Sequence, residues 1–269
     1  MPGFVWIVIA MAVGLLLLWA WEMWRRNTRT VQSMERGVTD EDVAVLRRNM
    51  PIYNRMPVDL QQQVQNLTLR FIEHKKFVPC GNLDEVTQEM KLTIAGNAAM
   101  LILNRPVRYP FRQVFSILVY PSSFFNSQEE RAELMDGEAW PTGSVVVAWD
   151  SARKSAQDLR DGKNLIVHEF AHQLDLENGP ADGLPEIDSA QVSTWARVLS
   201  KEFAKLRASA TQGKRTLLDQ YGADDPAEFF AIVTEAFFER SIRLKQQHPE
   251  LYDQLVHFYR VDPACWVDP

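Results

Sequence analysis

The stretch from Lys163 to Glu177 reads KNLIVHEFAHQLDLE, and the fold class predicted for this chain rests on it. It contains His168, Glu169 and His172 in the pattern H-E-x-x-H. Apolar residues occupy most of the other positions, which predicts a helix packed in the core. Because residues four apart share one face of a helix, the two imidazoles can bind one metal ion. Glu169, the residue after His168, then points towards the fourth coordination position of that ion. We interpret this stretch as the metal-binding helix of a hydrolase.

The same three residues favour zinc-assisted hydrolysis. Zinc accepts imidazole and carboxylate ligands in tetrahedral sites and lowers the pKa of bound water to about 7. Glu169 is expected to take the proton from that water as general base. The alternative treats both histidines as hydrogen-bonded core residues and Glu169 as a solvated one. Each buried polar group left unsatisfied would cost about 1–3 kcal/mol, so we expect one Zn²⁺ per chain.

Two histidines do not complete a zinc site, and a third ligand is expected downstream. The candidates are Asp175, Glu177, Glu228, Glu235, His248 and His257. Asp175 could instead orient an imidazole by accepting its N–H. Asp225 and Pro226 are typical of a helix start, which would place Glu228 in the first turn, but this spacing also fits a capping box. Spacing alone leaves Glu228 and Glu235 as rival ligands, two turns apart on one face.

The rest of the soluble part predicts an α+β fold with a small sheet and mostly helical surroundings. Helices are predicted from Thr39 or Asp40 through Leu46, from a cap at Asp59 through Phe71, and roughly from Asp84 to Ala99. Strands are predicted at Phe115–Tyr120 and Ser144–Trp149, with helices again after Trp149 and breaks near Gly179–Gly183, Gly213 and Pro249. We expect the strand Val145–Trp149 to line the cleft and to pair with an extended substrate peptide.

The N-terminal run Phe4–Trp21 is apolar and uncharged over 18 residues, enough to cover roughly 27 Å as a helix. No Lys or Arg precedes it and no small-residue cleavage site follows it, so we expect an uncleaved anchor rather than a signal peptide, contacting the membrane through residues 4–24. A buried core helix is the alternative. Arg25, Arg26 and Arg29 follow the run, which places the N-terminus outside the bacterial inner membrane and the remaining chain in the cytoplasm.

Composition excludes several classes of protein. The chain has 269 residues, of which 46% are hydrophobic and 24% charged, so global disorder is excluded. The net charge of −6 gives no electrostatic basis for binding nucleic acid directly. Cys80 and Cys265 alone do not form a disulfide framework. The expected domains are an anchor at residues 1–26, a linker at 27–37 and a zinc peptidase domain at 38–269.

Several segments together resemble the Mlc titration factor A family of zinc-dependent peptidases. They are PIYNRMP from Pro51, LRFIEHKKFVP from Leu69, VFSILVYPSSF from Val114, GEAWPTGSVVVAWD from Gly137, NLIVHEFAHQLD from Asn164, YGADDPAE from Tyr221, FFAIVTEAFFE from Phe229 and HPELYDQLVHFYRVDP from His248. The resemblance covers most of the soluble part. The active site of that family is similar to that of anthrax lethal factor, which implies a zincin-like fold of the gluzincin type.

The resemblance also implies roles for individual residues. His168, His172 and Glu228 would be the zinc ligands, Glu169 the general base, and Tyr221, seven residues before Glu228, the phenol that stabilises the oxyanion. It implies aminopeptidase-like activity on peptides and binding of a Mlc-like repressor of sugar-uptake genes. Members of that family are soluble, so the expected membrane anchor departs from the family pattern. This departure bears on whether the chain binds the repressor. The alternative function is a non-catalytic protein that sequesters the repressor, with zinc in a structural role.

Overall fold

The computed structural model describes residues 37–105, 111–125, 134–135, 137–140 and 143–266, together with the single positions 6, 11, 13, 14, 17, 18 and 21. The chain divides into two compact units, residues 1–37 and 38–269. The predicted anchor falls mostly outside the described residues, as does the predicted boundary after residue 26. In the described part of the chain, no helix has both the length and the apolar character needed to cross a membrane.

Helices dominate the second unit. The α-helices described are α1 (Asp40–Asn49), α2 (Val58–His74), α3 (Gln88–Met100), α4 (Trp149–Gln157), α5 (Leu165–Asp175), α6 (Val192–Thr211), α7 (Pro226–Glu239), α8 (Ser241–Gln247) and α9 (Pro249–Tyr259). Short 3₁₀ helices lie at Pro51–Arg55, Leu176–Asn178, Gln220–Ala223 and Pro263–Cys265. The prediction of an α+β fold with mostly helical surroundings is confirmed.

Capping residues explain where the helices begin. Thr39 caps α1 in a capping box with Asp42, as its position predicts. The predicted cap at Asp59 is wrong, because α2 begins at Val58 after Pro57 and Asp59 lies inside its first turn. The third helix begins at Gln88 rather than near Asp84, since Thr87 provides the cap.

The sheet has four strands in the order β1-β2-β6-β5, and a separate two-stranded sheet pairs β3 with β4. The strands are β1 (Lys76–Pro79), β2 (Ser116–Tyr120), β3 (Phe124–Phe125), β4 (Leu134–Met135), β5 (Gly137–Trp140) and β6 (Ser144–Ala148). Strands β1, β2 and β6 are parallel, whereas β5 pairs antiparallel with β6. The expectation that strand Val145–Trp149 pairs with substrate is therefore wrong, because both edges of β6 are already paired. Among the described strands, β5 is the free edge beside α5.

The core places α5 between the sheet and α7. Phe170 on α5 packs edge to face against Phe71 and Phe111, with ring centroids 5.4 Å and 4.9 Å away. On α7, every residue from Phe229 to Glu239 is buried. The motif helix is thus held on both sides by apolar packing, which fixes the face that carries its histidines.

Candidate metal centre

Helix α5 begins and is buried as its sequence predicts. Asn164 caps the helix by accepting the backbone N–H of Val167 at 3.2 Å. Its apolar side chains are fully buried at Ile166, Val167, Phe170, Ala171 and Leu174. His168 and His172 lie on the face of α5 that packs against α7, each side chain 14% exposed.

Glu228 from α7 completes a cluster with these two histidines. One ligand atom from each of the three side chains lies within 4.8 Å of the others. Glu228 Oε2 is 3.1 Å from His168 Nε2, and Glu228 Oε1 is 3.5 Å from His172 Nε2. The two Nε2 atoms are 3.2 Å apart. Two imidazoles and a carboxylate therefore converge on one small volume.

The Glu228 side chain does not act in a capping box at the start of α7. Asp225 does cap α7, because its Oδ1 accepts the N–H groups of Ala227 and Glu228 at 2.8 and 2.9 Å. The Glu228 carboxylate is turned towards the histidines. Burial on its own would raise the pKa of Glu228, but hydrogen bonds with His168 and His172 lower it to about 2. Glu228 is thus ionised at neutral pH.

Glu235, the rival ligand from the sequence, contacts the opposite nitrogen of the same ring. His168 Nδ1 is 2.8 Å from Glu235 Oε1, and Glu235 Oε2 accepts the backbone N–H of Asn164. The carboxylate therefore orients His168 and ties it to the start of α5. The ring stands between two carboxylates, one at each nitrogen.

The other candidate ligands lie away from this cluster. Asp175 accepts the backbone N–H of Gly183 at 2.8 Å and so holds the loop after α5. Glu177 pairs with Arg105 at 3.6 Å. His248 Nδ1 contacts Glu202 at 2.7 Å, and His257 Nδ1 contacts the carbonyl of Asp253 at 2.7 Å.

Glu169 is buried, with 5% of its surface exposed, and it faces the edge strand. Burial raises its pKa to about 7, while the charges of His168 and His172 act in the opposite direction. A Cβ placed on Gly137 of β5 would lie 2.4 Å from Glu169 Oε1, so any larger residue there would force this carboxylate to move. Strand β5 therefore lies directly against Glu169.

Tyr221 lies on the solvent side of the cluster, in the 3₁₀ turn before α7. Its side chain is 53% exposed, and its ring centroid is 6.2 Å from that of His168. Burial of the phenol and the negative charge of Glu228 raise its pKa to about 12. The hydroxyl is therefore protonated at neutral pH and can donate a hydrogen bond.

The donor set fits a divalent cation. Burial would lower the pKa of His168, but the hydrogen bonds with Glu228 and Glu235 outweigh burial and raise it well above its usual value. The cluster thus stabilises positive charge, which a proton or a metal ion can supply. Two imidazole nitrogens and one carboxylate oxygen match the ligands that zinc prefers.

Comparison with known proteins agrees with this arrangement. A family model described as glucose-regulated metallo-peptidase M90 matches residues 21–260. The chain belongs to the M90 metallopeptidase family. An uncharacterized protein of Synechocystis sp. is 30% identical to it over 269 residues, which is 96% of this chain and 97% of that protein. Mlc titration factor A of Yersinia pestis and of Yersinia pseudotuberculosis are each 27% identical over 229 residues, 81% of this chain and 83% of theirs. The resemblance stated from the sequence is confirmed.

Membership of the M90 metallopeptidase family implies a metal, and His168, His172 and Glu228 are the candidate group for it. Two contributors to this site were not predicted from the sequence. The orienting role of Glu235 and the close approach of Gly137 depend on how α7 and β5 pack against α5. Glycine within GEAW was the available signal, because a glycine in a strand often marks a close approach of backbone.

Proposed function

We propose that the chain is a zinc-dependent peptidase of aminopeptidase-like action. The observation that carries this proposal is the convergence of His168, His172 and Glu228 within 4.8 Å, with the buried Glu169 on the same helix. In the described residues, these three form the only group that could hold a metal ion. A catalytic zinc site has three protein ligands and an open position, whereas a structural one has four. The open arrangement favours catalysis over the structural alternative.

Each residue has a distinct task in this proposal. His168, His172 and Glu228 hold the metal, and Glu235 orients the His168 ring. A bound zinc ion would supply Lewis-acid activation of water and of the scissile carbonyl. Glu169, with a pKa near 7, accepts the proton of the attacking water and passes it to the leaving amine. The Tyr221 hydroxyl donates to the oxyanion as negative charge develops.

We assign substrate alignment to β5 in place of β6. Strand β5 pairs on one side with β6, and its other edge is unpaired among the described strands. A peptide added to that edge would form backbone hydrogen bonds without requiring a particular sequence. Gly137, whose backbone lies against Glu169, would bring the scissile bond near the general base.

The test combines metal analysis with turnover of a panel of chromogenic peptides. Wild type and Glu169→Gln are expected to bind one zinc per chain, and only the wild type should hydrolyse peptides. Equal turnover by the two proteins would remove Glu169 from the mechanism. Matched substrates with free and acetylated N-termini separate aminopeptidase from endopeptidase action.

A second role is supported by the names of the Yersinia relatives, which refer to titration of Mlc. We propose that the chain also binds a Mlc-like repressor. Surface plasmon resonance with immobilised repressor would test this, using Glu169→Gln to separate binding from cleavage. Unchanged affinity of this variant would show a binding role independent of hydrolysis, and no binding by either protein would exclude the repressor as partner.

We also propose that residues 4–24 anchor the chain in the bacterial inner membrane with the peptidase domain in the cytoplasm. The uncharged apolar run and the arginines after it support this topology. The match to the Synechocystis protein covers 96% of this chain and so extends into the N-terminal unit. A phosphatase reporter fused after Pro269 should be inactive if the C-terminus is cytoplasmic. Phosphatase activity would instead show that the C-terminus lies outside the membrane.

A further inference from the structure

The position of Tyr221 depends on its backbone rather than on contacts of its hydroxyl. Within the described part of the chain, no hydrogen bond to the Tyr221 hydroxyl is present, and half of the side chain is exposed. The residue belongs to the 3₁₀ turn Gln220–Ala223. What fixes this turn relative to α5 therefore fixes the distance from the phenol to the metal centre.

Asp219 connects the turn to the motif helix. Its Oδ1 accepts the backbone N–H of Tyr221 at 3.0 Å, and its Oδ2 is 2.6 Å from Lys163 Nζ. Lys163 directly precedes Asn164, the residue that caps α5 and contacts Glu235 through its backbone N–H. One ion pair thus links the Tyr221 turn to the helix that carries His168.

The other end of the turn is held by packing. A Cβ on Gly222 would lie 3.1 Å from Ile232 Cβ and 3.3 Å from Leu206 Cδ2, so the turn rests closely on α7 and α6 there. On the side of Asp219, a cavity of about 130 Å³ is lined by Lys163, Asp219, Ile232 and other residues. Close packing is incomplete on that side, so the turn is held there by polar contacts. These are the ion pair of Asp219 with Lys163 and a hydrogen bond from Gln220 Nε2 to the Lys214 carbonyl at 3.0 Å.

We propose that Lys163 is a positioning residue that holds Tyr221 at the metal centre through Asp219. This inference rests on the proposed peptidase function. The pair persists at neutral pH: the hydrogen bond to Asp219 raises the pKa of Lys163. Burial would raise the pKa of Asp219, but the bonds from Lys163 and the Tyr221 N–H lower it. Among the described residues, Lys163 forms its ion pair with Asp219 and with none of the three candidate metal ligands. The negative charge of Glu235 also raises the pKa of Lys163.

The test uses full-length protein with Lys163→Met, which keeps the length of the side chain and removes its charge. Asp219→Asn is the second variant, because the amide oxygen can still cap Tyr221. Each is expected to lower kcat about threefold to fivefold with little change in KM, as suits a partly exposed pair. Lys163→Arg should restore kcat. Lys201→Met, which breaks an exposed pair with Glu250 and involves no residue of the cluster, should leave kcat unchanged.

A double-variant comparison separates positioning of the phenol from a merely structural role. If Lys163 acts through the phenol, Lys163→Met should cause no further loss of kcat in a Tyr221→Phe background, because the hydroxyl being positioned is gone. The same fold loss in both backgrounds, or no loss in either, would overturn the proposal. Zinc content and Tm of Lys163→Met should match those of the wild type.

A spectroscopic measurement separates this proposal from the proposed function. With ¹³C-labelled tyrosine, the ring signal of Tyr221 is assigned by its absence in Tyr221→Phe. It should shift towards the value of an unrestrained tyrosine in Lys163→Met and return in Lys163→Arg. An unchanged signal in Lys163→Met refutes the positioning role even if peptide hydrolysis is absent. Loss of the restrained signal without any hydrolysis by the wild type would support the link and refute the peptidase.

Discussion

His168 Nδ1 lies 2.8 Å from Glu235 Oε1, so this carboxylate on α7 orients a ring whose other nitrogen faces Glu228. The contact sets which nitrogen carries the proton and which is free to bind a metal. Helix α7 thereby contributes to the cluster twice, once with a ligand and once with an orienting acceptor.

Glu235→Gln should weaken zinc binding about 10- to 100-fold, because the amide is a poorer acceptor for the His168 N–H. Competition with a chromogenic chelator measures this affinity. The matched control is Glu202→Gln, since Glu202 makes a similar contact with His248 at 2.7 Å outside the cluster. Equal losses of affinity in both variants would contradict the orienting role of Glu235.

Gly137→Ala should lower kcat at least 10-fold while zinc remains bound, because a Cβ 2.4 Å from Glu169 Oε1 forces the carboxylate to move. Steady-state kinetics and metal analysis of the same preparation test this. Gly96→Ala is the control, as its Cβ would come closest to Leu46 Cδ2 in the core, at 2.7 Å, and would not meet Glu169. Unchanged kcat in Gly137→Ala would show that Glu169 needs no such room.

Tyr221→Phe should reduce kcat about 100-fold with zinc retained, because one donor to the developing oxyanion is lost. The control is Tyr53→Phe, which removes a hydroxyl outside the cluster that accepts a hydrogen bond from Gln65 Nε2 at 2.6 Å. Pre-steady-state turnover of one peptide by both variants separates chemistry from product release. Full activity of Tyr221→Phe would exclude the phenol from catalysis.

Glu239→Gln should change how stability depends on pH. Burial raises the pKa of Glu239 from 4.5 to about 10, so the folded chain holds a proton that the unfolded chain releases. The stability this group contributes is complete below pH 4.5 and is lost as pH rises towards 10, by about 1.4 kcal/mol per unit.

Urea unfolding at pH 6 and pH 8 measures that effect. The free energy of unfolding of Glu239→Gln, relative to wild type, should increase by about 2–3 kcal/mol between the two pH values. Glu250→Gln is the control, because Glu250 is exposed and its ion pair with Lys201 lowers its pKa, leaving it ionised at both pH values. Parallel stability curves for Glu239→Gln and wild type would refute the prediction.

The motif helix and the start of α7 could be predicted because local signals specify them. The H-E-x-x-H spacing places two histidines on one face, and Asp225 with Pro226 marks a helix start wherever the helix packs. The choice between Glu228 and Glu235 could not be made from spacing. Both lie on the same face of α7, and only the packing against α5 decides which carboxylate meets Nε2 and which meets Nδ1.

The sheet was only partly predictable for a similar reason. Strands β2 and β6 are rich in β-branched residues, whereas β5 has the sequence GEAW and lacks that signal. Strand β1 is four residues long and ends at Pro79, so its sequence also lacks a strand signal. Because the order of strands is a long-range property, the sequence pattern assigned the substrate edge to β6 rather than to β5.

The most direct test of the catalytic zinc centre is the anomalous diffraction of wild-type crystals at the zinc edge. We predict one zinc ion per chain, bound by Nε2 of His168, Nε2 of His172 and the carboxylate of Glu228, with a fourth position open to solvent. Absence of a metal from these three side chains, or a fourth protein ligand closing the site, would contradict the account.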